Sequence, residues 1–197
     1  VTTDQAGNAT VRWGLGTQIG SLNNKMQAVS KFDDVHLVNS PHVFEASARV
    51  GGASQLVKVT DDTTSELSST IGNTLPQKLQ VKVTDEFGNP IPRYNVIFNV
   101  RSRIAADGGT LDGKVDSIKT KQTNDLGIAE VTFTLGQKAG VNINHVQASA
   151  ETPDGRNLEN SPIDFYITGL ATNATQMAMV DGDNQSGIVG KPLPRQI

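Results

Sequence analysis

The sequence predicts an all-β fold of two-sheet sandwiches arranged in series. Three observations carry this. Apolar and polar residues alternate with a period of two along much of the chain, the spacing of a strand with one buried face. Turn-forming Gly, Asn, Asp and Pro separate the alternating runs. And one stretch of sequence returns about 120 residues later. Gly7-Asn8-Ala9-Thr10-Val11-Arg12-Trp13-Gly14-Leu15-Gly16 lies over Gly127-Ile128-Ala129-Glu130-Val131-Thr132-Phe133-Thr134-Leu135-Gly136 at an offset of 120, and Gly20/Gly140 and Gln27-Ala28/Gln147-Ala148 continue it without a gap. A fixed period of this size is the mark of an array of like units.

The match runs on with small changes of phase. Ser40-Pro41-His42-Val43-Phe44 lies over Ser161-Pro162-Ile163-Asp164-Phe165 at offset 121, and Leu75-Pro76 over Leu193-Pro194 at offset 118. The length changes fall between Ala150 and Ser161 and within Asp62–Thr70, where loops tolerate insertion. The expected division is therefore 1–53 as the C-terminal half of one unit, 54–170 as one complete unit, and 171–197 as the N-terminal strand of a third.

The strands of the complete unit follow in order. A first strand is expected near Gln55–Val59. Leu79, Val81 and Val83 alternate with Lys78, Gln80, Lys82 and Thr84 as a half-buried strand. Asp85-Glu86-Phe87-Gly88-Asn89-Pro90 is a turn, since Gly88 and Asn89 tolerate positive φ and Pro90 stops ladder pairing. Val96, Phe98 and Val100 repeat the two-residue period. Gly108–Gly113 turns the chain ahead of a polar strand near Lys114–Thr120. Asn124-Asp125-Leu126-Gly127 is a further turn, feeding Ala129, Val131, Phe133 and Leu135, the clearest alternation in the chain. Gly136–Gly140 turns again into Val146, Ala148 and Ala150. Pro153–Arg156 is a loop, and Ile163, Phe165 and Ile167 line the last strand. About seven short strands per complete unit, without helical periodicity, predict tandem immunoglobulin-like β-sandwiches.

At this point a resemblance becomes specific. The run Leu79–Pro90, then Val96-Ile97-Phe98, Gly109-Thr110-Leu111, Thr123–Val131, Gly140 and Val146-Gln147-Ala148 resembles the bacterial immunoglobulin-like domain of the invasin and intimin type. Gly182–Pro194 resembles the start of a following domain. One departure is the longer segment Asp61–Thr74, read as a linker, in place of the compact Asp181–Lys191. The resemblance implies tandem, rod-forming modules of surface proteins, adhesins and secreted fibres, with recognition delegated to a tip domain.

Composition sets limits. There is no cysteine, which excludes a disulfide scaffold and thiolate metal sites. The net charge of −3 is spread along the chain with no basic block, against a nucleic-acid partner. No apolar run approaches the roughly 18–20 residues of a membrane span. A unit of this size can bury its own core.

Candidate chemical sites are thin. No catalytic set and no cofactor site is expected. Asp85 and Glu86 are adjacent, and neighbouring strand residues face opposite ways, so they form no acid/base pair. Gly14-Leu15-Gly16 is read as a strand end, since no helix follows to make it a phosphate loop. Of the histidines, His36, His42 and His145, the last alternates with Val146 and should face solvent. The one metal candidate is Asp181-Gly182-Asp183-Asn184, where Asp181, Asp183 and Asn184 offer oxygen ligands suited to calcium at a junction, without the spacing or distal Glu of an EF-hand. Three triplets have the form of glycosylation acceptors, at Asn8, Asn173 and Asn184. Trp13, at the position of Phe133, is expected in a core.

Function is then expected from architecture. The leading expectation is a spacer or assembly module of a long extracellular fibre or adhesin stalk, not an enzyme. Its partners are neighbouring immunoglobulin-like domains of the same chain, or identical chains in a filament that lend strands to the open half-sandwich. The alternatives are an adhesin segment that itself binds a host protein or glycan, with Arg101–Gln122 as the region to examine, and an accessory module of a secreted enzyme.

Overall fold

A computed structural model describes residues 1–61, 67–101, 109–114, 118–174, 177–178 and 182–193. Among these every regular element is a strand. The leading segment carries β1 (Gly20–Ala28), the short ribbon β2 (Lys31–Phe32) and β3 (Val35–His36), and β4 (His42–Ala48). The central region carries β5 (Gln55–Lys58), β6 (Ser68–Thr70), β7 (Leu79–Thr84), β8 (Asn95–Val100), β9 (Thr110–Leu111), β10 (Ile118–Gln122), β11 (Ile128–Val131), β12 (Phe133–Thr134), β13 (Gly140–Ser149) and β14 (Ile163–Leu170).

The central strands make a sandwich. One sheet has the order β10-β8-β13-β14-β6; facing it are β11-β7-β5 and the short pair β12-β9. All of these pairings are antiparallel except β14 with β6. The alternation that predicts the strands also builds the core. Leu79, Val81 and Val83 of β7, Val96 and Phe98 of β8, Ala129 and Val131 of β11, Val146 and Ala148 of β13, and Phe165 and Ile167 of β14 are all buried in one cluster. Burying each of the Val, Leu, Ile and Phe side chains among these stabilises the fold by about 1.5–3 kcal/mol, and with no disulfide this cluster is what holds the sheets together.

One expectation is corrected here. The segment read as a linker, Asp61–Thr74, is in its described part a portion of the sandwich: β6 pairs with β14, and Leu67 and Leu75 lie in the core. Its polar Ser-Ser-Thr run concealed an edge strand, because an edge needs only ladder hydrogen bonds and no apolar face. The polar strand expected at Lys114–Thr120 is β10 at Ile118–Gln122.

The leading segment is built differently from the sandwich and yet in part identically. β1 and β4 pair antiparallel, with Met26 opposite Phe44 and Asn24 opposite Ala46, and a register shift between Gly20 and Asn24. β13 and β14 pair with Val146 opposite Phe165 and Asn144 opposite Ile167, and a register shift between Gly140 and Asn144. At the repeat offsets these are the same positions. Positive φ recurs with them, at Leu22 and Asn142 (48° and 51°) and at Asn39 and Asn160 (63° and 62°), and both Ser-Pro bonds that precede the return strands are cis.

Among the described residues no second sheet covers the leading hairpin, and burial differs accordingly. Phe165 is fully buried, whereas its counterpart Phe44 is 45% exposed. Residues before Gly20 form no ladder, so Gly14–Gly16 is not a strand end. Trp13 is half-buried and outside any strand, not in a core, while its counterpart Phe133 is fully buried. The reason is physical. Phe133 sits in β12 against β9, and the preceding β11 pairs with β7. Among the described residues no strand pairs with the run around Trp13.

Candidate functional site: the junction ahead of the sandwich

The turn after β7 is built around one buried carboxylate. Asp85 Oδ1 accepts hydrogen bonds from the backbone N–H of Phe87 (3.0 Å) and of Asn89 (2.9 Å), and Gly88 adopts φ of 84° to close the loop. Asn89, the other residue of this turn that tolerates positive φ, is buried with Asp85; the two are 6% and 2% exposed. The Asn89 amide donates to both carboxylate oxygens, at 3.2 and 3.0 Å. Burial pushes the Asp85 carboxyl up, but the bonds from Asn89, Gly51 and Phe87 outweigh it and hold its pKa below the ordinary value. Glu86 is exposed, so the two acids have separate environments, as the sequence predicts.

This turn faces the leading segment. Asn89 Nδ2 donates to the Thr17 carbonyl at 2.8 Å, and the Ile19 N–H reaches Asn89 Oδ1 at 3.5 Å. From the segment between β4 and β5, the Gly51 N–H donates to Asp85 Oδ2 at 3.3 Å. Gly51 itself stands close over Asp85, with an added Cβ falling 3.8 Å from the carboxylate oxygen. One turn of the sandwich thus grips two backbone segments of the preceding region. Backbone-to-side-chain bonds of this kind read chain path and not side-chain identity, so the Thr17–Ile19 loop leaves no signal of its own in the sequence.

A second polar group lies on the outer face of the five-stranded sheet. His145 and Asp164 pair at 2.7 Å, and Gln147 Nε2 donates to the same Asp164 oxygen at 3.0 Å. The His145 ring stacks on Tyr166 with centroids 4.6 Å apart, and the Arg101 guanidinium donates to Gln147. Burial raises the Asp164 carboxyl, and the bonds from His145 and Gln147 more than offset it, leaving the pKa below its usual value. His145 faces outward as predicted but is held by partners, not merely solvated. The partners sit on a neighbouring strand, which local sequence could not reveal.

The sequence-predicted sites fall elsewhere. Asp181 lies outside the described residues. Both Asp183 oxygens are engaged by Asn184, through its N–H (2.8 Å) and its side-chain amide (3.2 Å). Among the described residues no three acidic or histidine side chains gather as a metal cluster. Asn8, Asn173 and Asn184 are exposed; Asn8 closes a turn in which its N–H donates to Asp4 at 2.8 Å, and Thr175 of the second triplet lies outside the described residues. Of Arg101–Gln122, residues 102–108 and 115–117 lie outside them too. Among the described residues no helix is long and apolar enough to cross a membrane.

No protein-family model matches the chain, and no curated protein does. Solved structures do. The adhesin InvE of Yersinia pseudotuberculosis is 17% identical and overlaps 77% of this chain and 40% of its own, with a TM-score of 0.41. A C-terminal 282-residue fragment of intimin, solved with the intimin-binding domain of the translocated intimin receptor, is 16% identical over 59% of this chain and 33% of its own, at 0.34. The D00–D0 region of intimin is 17% identical over 64% and 56%, at 0.31. The chain spans less than two thirds of each of these structures. The assignment of the fold rests on strand order and the common core, not on these overlaps.

Proposed function

We propose that this chain is a segment of a long extracellular adhesin or surface fibre and serves as a spacer and assembly module, with no catalytic role. In this reading residues 1–53 are the latter part of one immunoglobulin-like unit, 54–170 a whole unit, and 171–197 the start of the next. The observation that carries it is the recurrence of one hairpin. β1–β4 and β13–β14 share register, bulge position and positive-φ residues at the sequence offset, although only the second is covered by a facing sheet. Local geometry that survives without its core is inherited unit by unit. The junction supports the same reading, since a turn of the whole unit is spent on backbone of the part before it.

The function is mechanical. Stability in such an array is a sum of unit terms and nearest-neighbour contacts, and reach is set by unit length and by the angle at each junction. The test is to express residues 54–170 alone and follow thermal unfolding. A single cooperative transition close to that of the sandwich in the full chain is expected. A polypeptide that stays unfolded or aggregates would defeat the independent-module reading and favour units completed by a neighbouring chain.

A further inference from the structure

Asp85 carries one oxygen more than its turn needs. At Asp4, Asp85 and Asn124 alike, a side-chain oxygen accepts from the backbone N–H groups two and four residues on. Asn124 shows that one oxygen is enough, since an amide has no second. At Asp85 the other oxygen, Oδ2, serves the junction. It accepts the Gly51 N–H at 3.3 Å and the Asn89 amide at 3.0 Å.

The carboxylate also decides which way the Asn89 amide points. Burial opposes its charge, but the bonds it accepts keep it ionised at neutral pH. An ionised carboxylate only accepts. It therefore takes the NH2 side of Asn89. That leaves Nδ2 one proton for the Thr17 carbonyl, at 2.8 Å, and turns Oδ1 toward the Ile19 N–H, at 3.5 Å. With the amide reversed, oxygen would face oxygen at Asp85 and Thr17, and donor would face donor at Ile19.

These contacts meet the leading hairpin at its base, where Gly20 pairs with Ala48. The loop before Gly20 is fastened to its own hairpin: the Gly16 N–H donates to Asn24 Oδ1 at 2.7 Å, and Asn23 Nδ2 to the Gln18 carbonyl at 2.9 Å. Holding Thr17 and Ile19 thus holds the hairpin at its entry. At its exit, Val50 packs against the sandwich core and Gly51 bonds to Asp85. A body tied at one point swivels about it, and a second tie on the other strand of the base removes most of that freedom.

We propose that Asp85 is the positioning residue of this joint: its spare oxygen and the amide it orients clamp the leading hairpin at entry and exit, so that hairpin and sandwich keep one mutual orientation. The clamp lies within this chain and goes beyond the array reading, which it does not require.

The chain has no native cysteine, so spin labels on V38C and Q122C report the orientation of the hairpin on the sandwich. A narrow distance distribution is expected in the full chain. D85N keeps the turn, as Asn124 keeps its own, but cannot offer two accepting oxygens. It should broaden the distribution at least about twofold, as should N89A. D4N, the same change in the matching turn of the leading segment, should leave it unchanged. The Gly51 amide should exchange about tenfold faster in D85N, the loss expected for a bond to a charged group. Thermal unfolding of the sandwich is followed alongside. Should D85N or N89A lose the sandwich, Ile19→Pro decides: from outside the sandwich it puts a ring carbon where the N–H meets Asn89 Oδ1, and should broaden the distribution likewise. A distribution already broad in the native chain overturns the clamp. So does one that stays narrow in D85N with the sandwich folded, or in I19P, for then the packing of Val50 and Ala53 sets the orientation alone.

Discussion

Four turns among the described residues follow one local recipe. In each, a side-chain oxygen of Asp4, Asp85, Asn124 or Thr152 accepts from the backbone N–H four residues on, and the residue three on is a glycine whose N–H returns to the first carbonyl. The glycines, Gly7, Gly88, Gly127 and Gly155, all have φ between 74° and 84°. Side-chain bonds to the local backbone select this geometry, and glycine supplies the left-handed residue at no steric cost. Position then decides what each glycine is worth. A Cβ on Gly127 would lie 2.7 Å from the Val83 carbonyl oxygen, whereas one on Gly7 would meet nothing within 4 Å. Gly127→Ala is therefore expected to destabilise the sandwich by about 1–3 kcal/mol, seen as a fall in its unfolding temperature, and Gly7→Ala to leave that transition unmoved. Asp85 gives a second expectation. Its folded pKa is depressed, so its contribution is complete above the unfolded carboxyl value of about 3.9 and is lost as pH falls through the folded one. Asp85→Asn should lower the unfolding temperature at neutral pH, and the gap from the native chain should narrow as the solution is acidified below about pH 4. A gap that stays constant with pH would remove the carboxylate from the account.

The same element takes two fates in this chain. β13–β14 and β1–β4 share a register, yet Phe165 is sealed between two sheets with Lys58 Nζ 4.7 Å over its ring, and Phe44 is 45% exposed beside His42. Truncating Phe165 leaves a cavity that the facing sheet cannot close, and Phe165→Ala should cost about 3–5 kcal/mol. Phe44→Ala should leave the sandwich transition in place; equal effects in chemical denaturation would mean the leading hairpin is part of the same cooperative core. Strand existence was legible at this scale wherever one face is buried, because alternation records burial. β6 was not, because its Ser-Ser-Thr sequence carries no buried face of its own. The run from Val11 to Leu15 was read wrongly for the converse reason: it alternates like β11 and β12 but lacks the strands that those pair with.

For the molecule as a whole, the consequential contact joins parts distant in sequence by small polar groups. Asn89 reaches Thr17 across 72 residues. Beside these bonds, Val50 and Ala53 of the connecting segment pack against the sandwich core. The folding of residues 54–170 alone and the label distances across the junction address this scale directly, the first asking whether units are independent, the second whether they are aligned.

From the sequence alone came the all-β class, the positions of most strands and turns, the core of the sandwich and the 120-residue recurrence, because period-two burial and turn chemistry are local and leave a local record. The tertiary structure decided which copies of a pattern acquire a core, drew β6 and Leu67 into the sandwich, tied His145 to Asp164, and turned Asn89 from a turn residue into a grip on the preceding segment. These depend on what lies opposite in space, and no residue's identity encodes its neighbour across a sheet or a junction.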